Sequence, residues 1–192
     1  MNIPQKYEAL SPSDIFNIAK KTCNILKYPD LSKLKTIDDI FQEGSSLYNA
    51  IRPDLPFDNN TCIILYMTRP NFGHWCTLTR RIENDEVVEY NFLDPYGDVI
   101  DDQLEFINKK FRKESNQQRA HLCRLLTTTD IPVHYNDKQI QKLDGKIATC
   151  GRYAAIFLKF NQIPVELLVN TLIRYSKKYK IDIDDLVTLM TI

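Results

Sequence analysis

The chain has 192 residues, of which 43% are hydrophobic, and it carries 25 basic and 25 acidic side chains. This length suffices for one hydrophobic core, so we expect a single domain over residues 1–192. The formal net charge of zero gives no overall attraction to nucleic acid. No apolar run approaches the length of a membrane span, so the sequence predicts no membrane partner.

Five cysteines are scattered along the chain without paired metal-ligand spacing, and the amino-terminal segment is polar. We therefore expect free thiols in a reducing compartment, without a signal peptide. His74 and Cys76 are two residues apart, but no second ligand pair accompanies them, so no metal site is predicted. Three further cysteines lie in apolar or strand-like segments and are predicted to be buried structural thiols: Cys23, Cys62 and Cys123.

The first elements along the chain are predicted to be helices followed by a loop. Residues 13–25 place apolar side chains at helical spacing, and Ser11 or Ser13 would cap this helix. A second helical segment begins at Thr36. It ends before residues 44–60, which are rich in turn-forming residues and are predicted to form a surface loop.

Three short apolar segments follow, at residues 62–67, 75–82 and 87–93, and their pattern predicts an antiparallel meander. His74 lies at the start of the second strand and Asp94 at the end of the third. The start of one hairpin strand lies beside the end of the next, so the imidazole and the carboxylate are predicted to be neighbours. Taken singly, a surface histidine and a turn-forming Asp-Pro are the commoner interpretations.

The segment after the meander contains one predicted helix and two predicted strands. The helix covers residues 101–119, and the strands lie near residues 122–127 and 132–135. His121 and His134 are competing imidazoles in this region. We favour His74 over both, since His134 has no acid motif after its strand and His74 has a hairpin partner.

Cys150 begins a predicted helix over residues 150–162. A cysteine in the first turn of a helix faces unpaired backbone N–H groups, which favour the thiolate, the form that acts as a nucleophile. Gly151 leaves the backbone unshielded, so a main-chain N–H can point at a developing oxyanion. For a lone cysteine, a small buried hydrophobe at a helix start is the commoner interpretation.

Two further helices are predicted at residues 164–178 and 182–190. Together these elements predict an α+β fold in which a mixed central β-sheet is flanked by helices. Cys150 then lies at the amino-terminal end of a central helix.

The order of the motifs resembles that of the adenain/Ulp1-like cysteine proteases, and within them the viral maturation proteases of adenovirus, virophage or Polinton type. The matching residues are His74-Trp75, Asp94-Pro95-Tyr96-Gly97, Gln141 and Cys150-Gly151. Papain-like enzymes place the cysteine before the histidine along the chain, so chain order argues against them. The resemblance implies a papain-like/Ulp1-like protease core over residues 61–162, between a helical and loop region at 1–60 and closing helices at 163–192.

The resemblance implies a role for each of three residues. Cys150 would attack the peptide carbonyl, His74 would act as the general base, and Asp94 would orient the imidazole. Such an acid fixes the tautomer of the histidine and leaves its other ring nitrogen facing the thiol.

The resemblance also implies residues that contact the substrate. A glutamine amide would supply an oxyanion-hole donor, and Gln141 lies closer to the expected spacing than Gln139, which stays an alternative. Trp75 would flank the cleft beside the histidine, and Gly151 would border the bound peptide.

The function implied is that of a viral cysteine endopeptidase that cleaves structural (capsid) precursor proteins during virion maturation, at sites with small residues such as glycine. One alternative is a deconjugating protease that acts on ubiquitin-like modifiers, since the Ulp1 branch shares the triad. A second alternative is a non-catalytic binding module. Such a module has no chemical need of a complete set of catalytic residues, which here would be His74, Asp94, Gln141 and Cys150.

The sequence requires no cofactor, and the expected location is the host cytoplasm or viral factory, with packaging in the virion. We expect a monomer whose partners are viral structural precursors. The family implies that DNA or a peptide can activate the enzyme. Two basic clusters, in residues 109–113 and 174–180, are candidates for DNA contact, although a solvated helix face is the commoner explanation.

Overall fold

A five-stranded mixed sheet forms the centre of the computed structural model, which describes residues 4–42 and 52–192. The strands lie in sequence order: β1 (Thr22–Lys27), β2 (Phe57–Arg69), β3 (Phe72–Glu83), β4 (Glu86–Leu93) and β5 (Val133–Tyr135). The α-helices of the described residues are α1 (Pro12–Ala19), α2 (Lys109–Glu114), α3 (His121–Leu126), α4 (Cys150–Lys159), α5 (Val165–Tyr179) and α6 (Ile183–Leu189). Short 3-10 turns cover Pro4–Tyr7, Tyr28–Lys33, Ile37–Phe41 and Asp102–Phe106.

The central strands β2, β3 and β4 form the predicted antiparallel meander, and β1 and β5 add parallel edges. In the β3–β4 register Thr77 lies opposite Leu93, so the start of β3 and the end of β4 share one end of the sheet. The predicted α+β class, a mixed sheet flanked by helices, is confirmed. Its meander brings His74 and Asp94 to the same end of the sheet.

Side chains of β2 alternate between the two faces of the sheet, as period-2 strand geometry requires. Ile64 and Tyr66 enter one core cluster, with the 3-10 turns and α3, while Ile63 and Leu65 enter a second cluster with α1 and α4. Helix α4 also packs against α5 and α6 in a third cluster. Every residue from 151 to 158 is therefore buried, and α4 is the central helix of the fold.

The amino-terminal helix is shorter than predicted. Ser11 caps α1 in a capping box with Asp14, and the helix ends at Lys20, which has a left-handed backbone with φ of 60°. The remainder of the predicted helix forms strand β1, which pairs with β2 and is buried at five successive positions. A strand buried on both faces gives a continuous apolar run, which periodicity does not separate from a helix.

The second predicted segment is a 3-10 turn, Ile37–Phe41, that begins after Thr36 with a Thr36–Asp39 capping box. Residues 44–51 of the predicted loop lie outside the described residues. At its other end the loop prediction is wrong for residues 57–60, which belong to β2.

The segment between the meander and Cys150 differs most from the prediction. The single helix expected at 101–119 is a 3-10 turn and α2, because Asn108 breaks the run and caps α2. The strand expected near 122–127 is helix α3, in which Leu122 and Leu125 are buried at helical spacing. Strand β5 and helices α5 and α6 are confirmed, while α4 ends three residues earlier than predicted. None of the helices described is both long and apolar enough to cross a bilayer.

Candidate active site

His74 and Asp94 are hydrogen-bonded to each other at the end of the meander. The distance from His74 Nε2 to Asp94 Oδ1 is 2.8 Å, and both side chains are buried. The same carboxylate oxygen accepts a hydrogen bond of 2.9 Å from the backbone N–H of Tyr96. The pairing of β3 with β4 therefore brings these two predicted site residues into contact.

Cys150 is the first residue of α4, and its partly exposed thiol contacts the same histidine. Burial by itself raises the pKa of Cys150. The hydrogen bond and positive charge of His74, with the backbone N–H groups of Trp75 and Gly151, outweigh burial and lower the pKa below its ordinary value. The surroundings of Cys150 thus favour the thiolate, the form that a nucleophilic cysteine requires.

The pKa of the His74 imidazole is shifted in the opposite direction. Burial lowers the pKa of His74, but Cys76, Asp94 and Cys150 favour the protonated ring and hold the pKa well above its usual range. Burial raises the pKa of the Cys76 thiol, so Cys76 acts on the ring as a neutral hydrogen-bonding thiol, and the negative charges beside the imidazolium are those of Asp94 and Cys150. The three residues favour a thiolate–imidazolium pair over a neutral thiol and a neutral imidazole.

The ring of His74 is fixed on several sides. Nε2 is bonded to Asp94, so Nδ1 is the ring nitrogen that remains for another partner. The ring of Tyr96 stacks on the imidazole with centroids 4.4 Å apart and an interplanar angle of 13°. Although the sequence places Tyr96 within the Asp-Pro-Tyr-Gly motif, its stacking role follows only from the turn that Gly97 allows at φ of 80°.

Asn136 supports Asp94 from behind and was missed by sequence reasoning. Its side-chain amide donates to the Asp94 carbonyl at 2.8 Å and its amide oxygen accepts from the Asp94 N–H at 3.0 Å. Asn136 is 42 residues from Asp94 in sequence and directly follows β5. An asparagine in a turn carries no signal of such a role, because the contact depends on the pairing of β5 with β4.

A cleft of about 600 Å³ opens at the thiol and the imidazole. Its residues include the site residues His74, Trp75, Gln141 and Cys150, and its apolar walls come from Leu10, Leu65, Phe72, Phe106, Leu143 and Ile147. Gly151 itself is buried beneath this wall. A Cβ at this position would lie 3.0 Å from Leu10 Cβ and 3.5 Å from Trp75 Cδ1, so these two side chains pack closely against the Gly151 backbone.

The structure distinguishes between the two candidate glutamines by position. Gln141 is buried, lines the cleft and donates long hydrogen bonds of 3.3 Å to the Tyr96 hydroxyl and 3.5 Å to the Ile147 carbonyl. Gln139 is exposed, and its amide donates to the backbone carbonyl of Gln141. Of the two, Gln141 is the side chain placed with Cys150.

The other two histidines lie elsewhere. His134 is exposed on edge strand β5, where Nε2 is 3.8 Å from Glu89 Oε2. His121 begins α3 and its ring nitrogen contacts the Asn116 carbonyl at 3.2 Å. The structure therefore places His74, and neither of these, beside the Cys150 sulfur.

One cluster in the described chain has the donor atoms for a metal ion. Single atoms of His74, Cys76 and Asp94 lie within 4.8 Å of one another. Two of these residues already bond to each other through His74 Nε2 and Asp94 Oδ1, so the ring nitrogen and the carboxylate oxygen that a metal would use are engaged with each other. Their arrangement fits the orientation of an imidazole better than a metal centre.

The chain is similar in sequence to one known protein and in structure to another. No protein-family model matches it. Two crystal structures of the ASFV pS273R protease align with TM-scores of 0.41 and 0.32 at 12% and 11% identity, over 85% of this chain and 66% of that one, just under two thirds of its length. The chain is 31% identical over 184 residues to "Uncharacterized protein V9" of Sputnik virophage, covering 96% of this chain and 94% of the virophage protein. This chain therefore belongs to the same protein family as the V9 protein of Sputnik virophage.

Proposed function

We propose that this chain is a cysteine endopeptidase that cleaves viral structural precursor proteins during virion maturation. The observation that carries the proposal is His74, which contacts both Asp94 and the Cys150 thiol at the mouth of a cleft. The family relationship to a virophage protein supports a viral setting. The order of the motifs supports the adenain/Ulp1-like maturation branch.

The geometry supports a two-step acyl transfer. The Cys150 thiolate attacks the peptide carbonyl carbon, and the carbonyl oxygen becomes an oxyanion near the start of α4. Protonated His74 gives its proton to the leaving amine as the C–N bond breaks, which leaves a thioester on Cys150. His74 then takes a proton from water, hydroxide attacks the thioester, and the thiolate is released.

Gln141 is the side chain we assign to the oxyanion. It lines the cleft together with Cys150, and its two hydrogen bonds are long, so its amide can turn toward a developing negative charge at little cost. Asp94 keeps the imidazole oriented during both steps, and the stacked Tyr96 ring prevents it from rotating.

The shape of the cleft supports small residues at the cleaved bond. Leu10 and Trp75 line the cleft and pack closely against the Gly151 backbone beside the nucleophile. We therefore propose cleavage at sites that contain glycine or another small residue. The expected location is the host cytoplasm or viral factory, followed by packaging in the virion.

The test is cleavage of defined substrates by purified protein. Peptides that contain Gly-Gly followed by varied residues are expected to be cut after glycine, and Cys150→Ala and His74→Ala are expected to abolish cutting while the protein stays folded. A protein that cuts only folded ubiquitin-like fusions would instead be a deconjugating protease. A protein without cleavage of either class, and without an activated thiol, would contradict the proposal and favour a binding module.

DNA is proposed as an activating partner through one exposed face of α5. Arg174, Lys177 and Lys178 lie on this helix, where the rings of Tyr175 and Tyr179 stack with centroids 6.0 Å apart. Basic side chains can bind the phosphates of a nucleic acid, and exposed aromatic rings between them can stack on its bases. We call the exposed residues Arg174, Tyr175, Lys177, Lys178 and Tyr179 the basic face of α5.

A further inference from the structure

Asp184 is a buried carboxylate that does not line the cleft but bonds to residues beside the site. It lies in the first turn of α6 and is 0% exposed. Asp184 Oδ1 accepts hydrogen bonds from the Thr149 hydroxyl at 2.5 Å and the Tyr153 hydroxyl at 3.2 Å. Asp184 Oδ2 accepts from the backbone N–H of Lys142 at 3.0 Å.

The partners of Asp184 flank two residues of the proposed mechanism. Thr149 directly precedes Cys150, and Lys142 directly follows Gln141. One carboxylate thus joins the turn that carries the nucleophile to the segment that carries the oxyanion-hole glutamine. Between these two attachment points residues 142–146 are exposed, so the segment depends on its ends for its position.

The two bonding directions explain why a carboxylate stands at this position. Burial of a charged group is costly and raises the pKa of Asp184, and an apolar or neutral residue would avoid this cost. Only a carboxylate presents two acceptor oxygens, whereas an asparagine presents one acceptor and one donor. Both oxygens are in use, one for each half of the site.

We propose that Asp184 is a positioning residue, which holds the Gln141 amide and the Cys150 sulfur at the separation that the reaction needs. This inference rests on the proposed protease function. It assigns no contact with the substrate to Asp184, because the residue acts through Lys142 and Thr149. The C-terminal helix α6 therefore belongs to the machinery of the site.

Asp184→Asn is the first test, with Asp185→Asn as the matched control. Asparagine has one acceptor: with its oxygen on the Thr149 hydroxyl its NH₂ group meets the Lys142 N–H, donor against donor, and turned over it leaves the Thr149 hydroxyl proton without its acceptor. In either orientation one of the two attachments is weakened, while the bond from the Gln141 N–H to the Pro95 carbonyl remains. Asp185 is the adjacent residue of the same helix, and its carboxylate accepts a hydrogen bond of 2.9 Å from the Lys6 ammonium. The side-chain oxygen of an asparagine can still accept this bond.

Two assays report separately on the oxyanion hole and on the reactivity of the nucleophile. With a peptide ending in Gly-Gly-aminomethylcoumarin, Asp184→Asn is expected to lower kcat about 10- to 100-fold and to leave KM within about twofold. Alkylation of Cys150 by iodoacetamide needs no oxyanion donor, so its rate is expected to stay within about threefold of wild type. Asp185→Asn is expected to change none of these quantities by more than about twofold.

A second pair of variants tests the other attachment and stays informative if Asp184→Asn does not fold. Thr149→Val removes the hydroxyl at nearly constant volume, and Thr149→Ser retains it. Thr149→Val is expected to lower kcat about 5- to 20-fold, and Thr149→Ser to stay within about twofold of wild type.

The outcomes distinguish this inference from the proposed function. Wild-type protein that cleaves the peptide, with Asp184→Asn equal to Asp185→Asn or Thr149→Val equal to Thr149→Ser, overturns the positioning role and leaves the protease function standing. Equal losses of kcat and of alkylation rate in Asp184→Asn, together with a lowered Tm, also overturn it, because they indicate general loss of structure. Wild-type protein without any peptidase activity overturns both.

Discussion

His74 is the residue on which the electrostatics of the site depend. It bonds to a buried carboxylate through Nε2 and contacts a thiol at the start of a helix, so its positive charge is stabilised twice. The same charge stabilises the thiolate of Cys150. The two residues form one coupled unit, and removing either changes the protonation of the other.

Selective alkylation is the most direct check at the scale of single residues. Cys150 is expected to react fastest with iodoacetamide at near-neutral pH, because it combines partial exposure with a lowered pKa. Cys123 is also partly exposed and serves as an internal control, since burial and the adjacent Asp101 raise its pKa to about 12. Mass mapping of all five cysteines measures both rates.

The histidine variant completes that experiment. His74→Ala removes the cation that favours the thiolate, so labelling of Cys150 is expected to slow about tenfold or more, while Cys123 is unaffected. Uniform slow labelling of all thiols in the wild-type protein would show that Cys150 is not activated.

The pH dependence of cleavage follows from the same pair. Activity is expected to rise as the Cys150 thiolate forms, below the ordinary cysteine pKa, and to fall as His74 loses its proton, above the ordinary histidine pKa. Asp94→Asn removes a charge that favours the imidazolium, so the falling limb is expected to move to lower pH and kcat to decrease, but less than in Cys150→Ala. A profile with one limb only, or a falling limb unmoved by Asp94→Asn, would contradict the pairing.

At the scale of elements, the site depends on strands and helices that meet at their ends. The end of β4 supplies Asp94, the start of β3 supplies His74, and the start of α4 supplies Cys150. Strand β5 holds β4 through Asn136, which directly follows it. Elements outside the meander therefore help to position the catalytic side chains.

Asn136→Ala tests the attachment of β5 to β4. It leaves the N–H and C=O of Asp94 without two buried partners, so we expect a loss of about 2 kcal/mol in the free energy of unfolding by urea, with lowered kcat. Asp137→Ala changes an exposed neighbour and is expected to stay within about 0.5 kcal/mol of wild type. Equal stability of the two variants would show that the Asn136 bonds do not support the strand end.

At the scale of the whole molecule, helix α5 and the cleft carry different chemistry. The formal net charge is zero, yet the basic face of α5 concentrates cations around two stacked tyrosines. The cleft has apolar walls, and its charged groups are the thiol, the imidazole and the carboxylates of Asp98 and Asp144, with no residue of α5 in its lining. A partner on α5 would therefore bind without occupying the cleft.

Salt dependence tests the proposed DNA contact. If DNA activates the enzyme through α5, the activation is expected to fall steeply between low and physiological salt, with a slope of about 0.9 in log K per phosphate contact. Replacing Arg174, Lys177 and Lys178 by glutamine is expected to abolish this activation and to leave the DNA-free rate unchanged. The matched control replaces Lys109, Lys110 and Lys113 on α2, and an equal loss in both sets would show a nonspecific charge effect.

The elements differ in how far the sequence predicted them. The meander and α4 to α6 follow from local patterns, because each buries a face with its own period. Strand β1 and helix α3 were assigned wrongly, since short, fully buried apolar runs read alike as helix or strand. Pairing with β2 makes the first segment a strand, and the burial of Leu122 and Leu125 at helical spacing makes the second segment a helix.

The sequence by itself determined the motifs of the site and the end of the sheet at which they meet. His74, Asp94 and Cys150 each lie at the boundary of a strand or helix. Because a hairpin spans few residues, a short stretch of sequence is enough to predict that His74 and Asp94 are neighbours. Only the tertiary structure chose Gln141 over Gln139 for the cleft and brought Asn136 and Asp184 to their partners. These contacts join residues 35 to 42 positions apart. No local pattern encodes such distances, because they depend on how finished elements pack against one another.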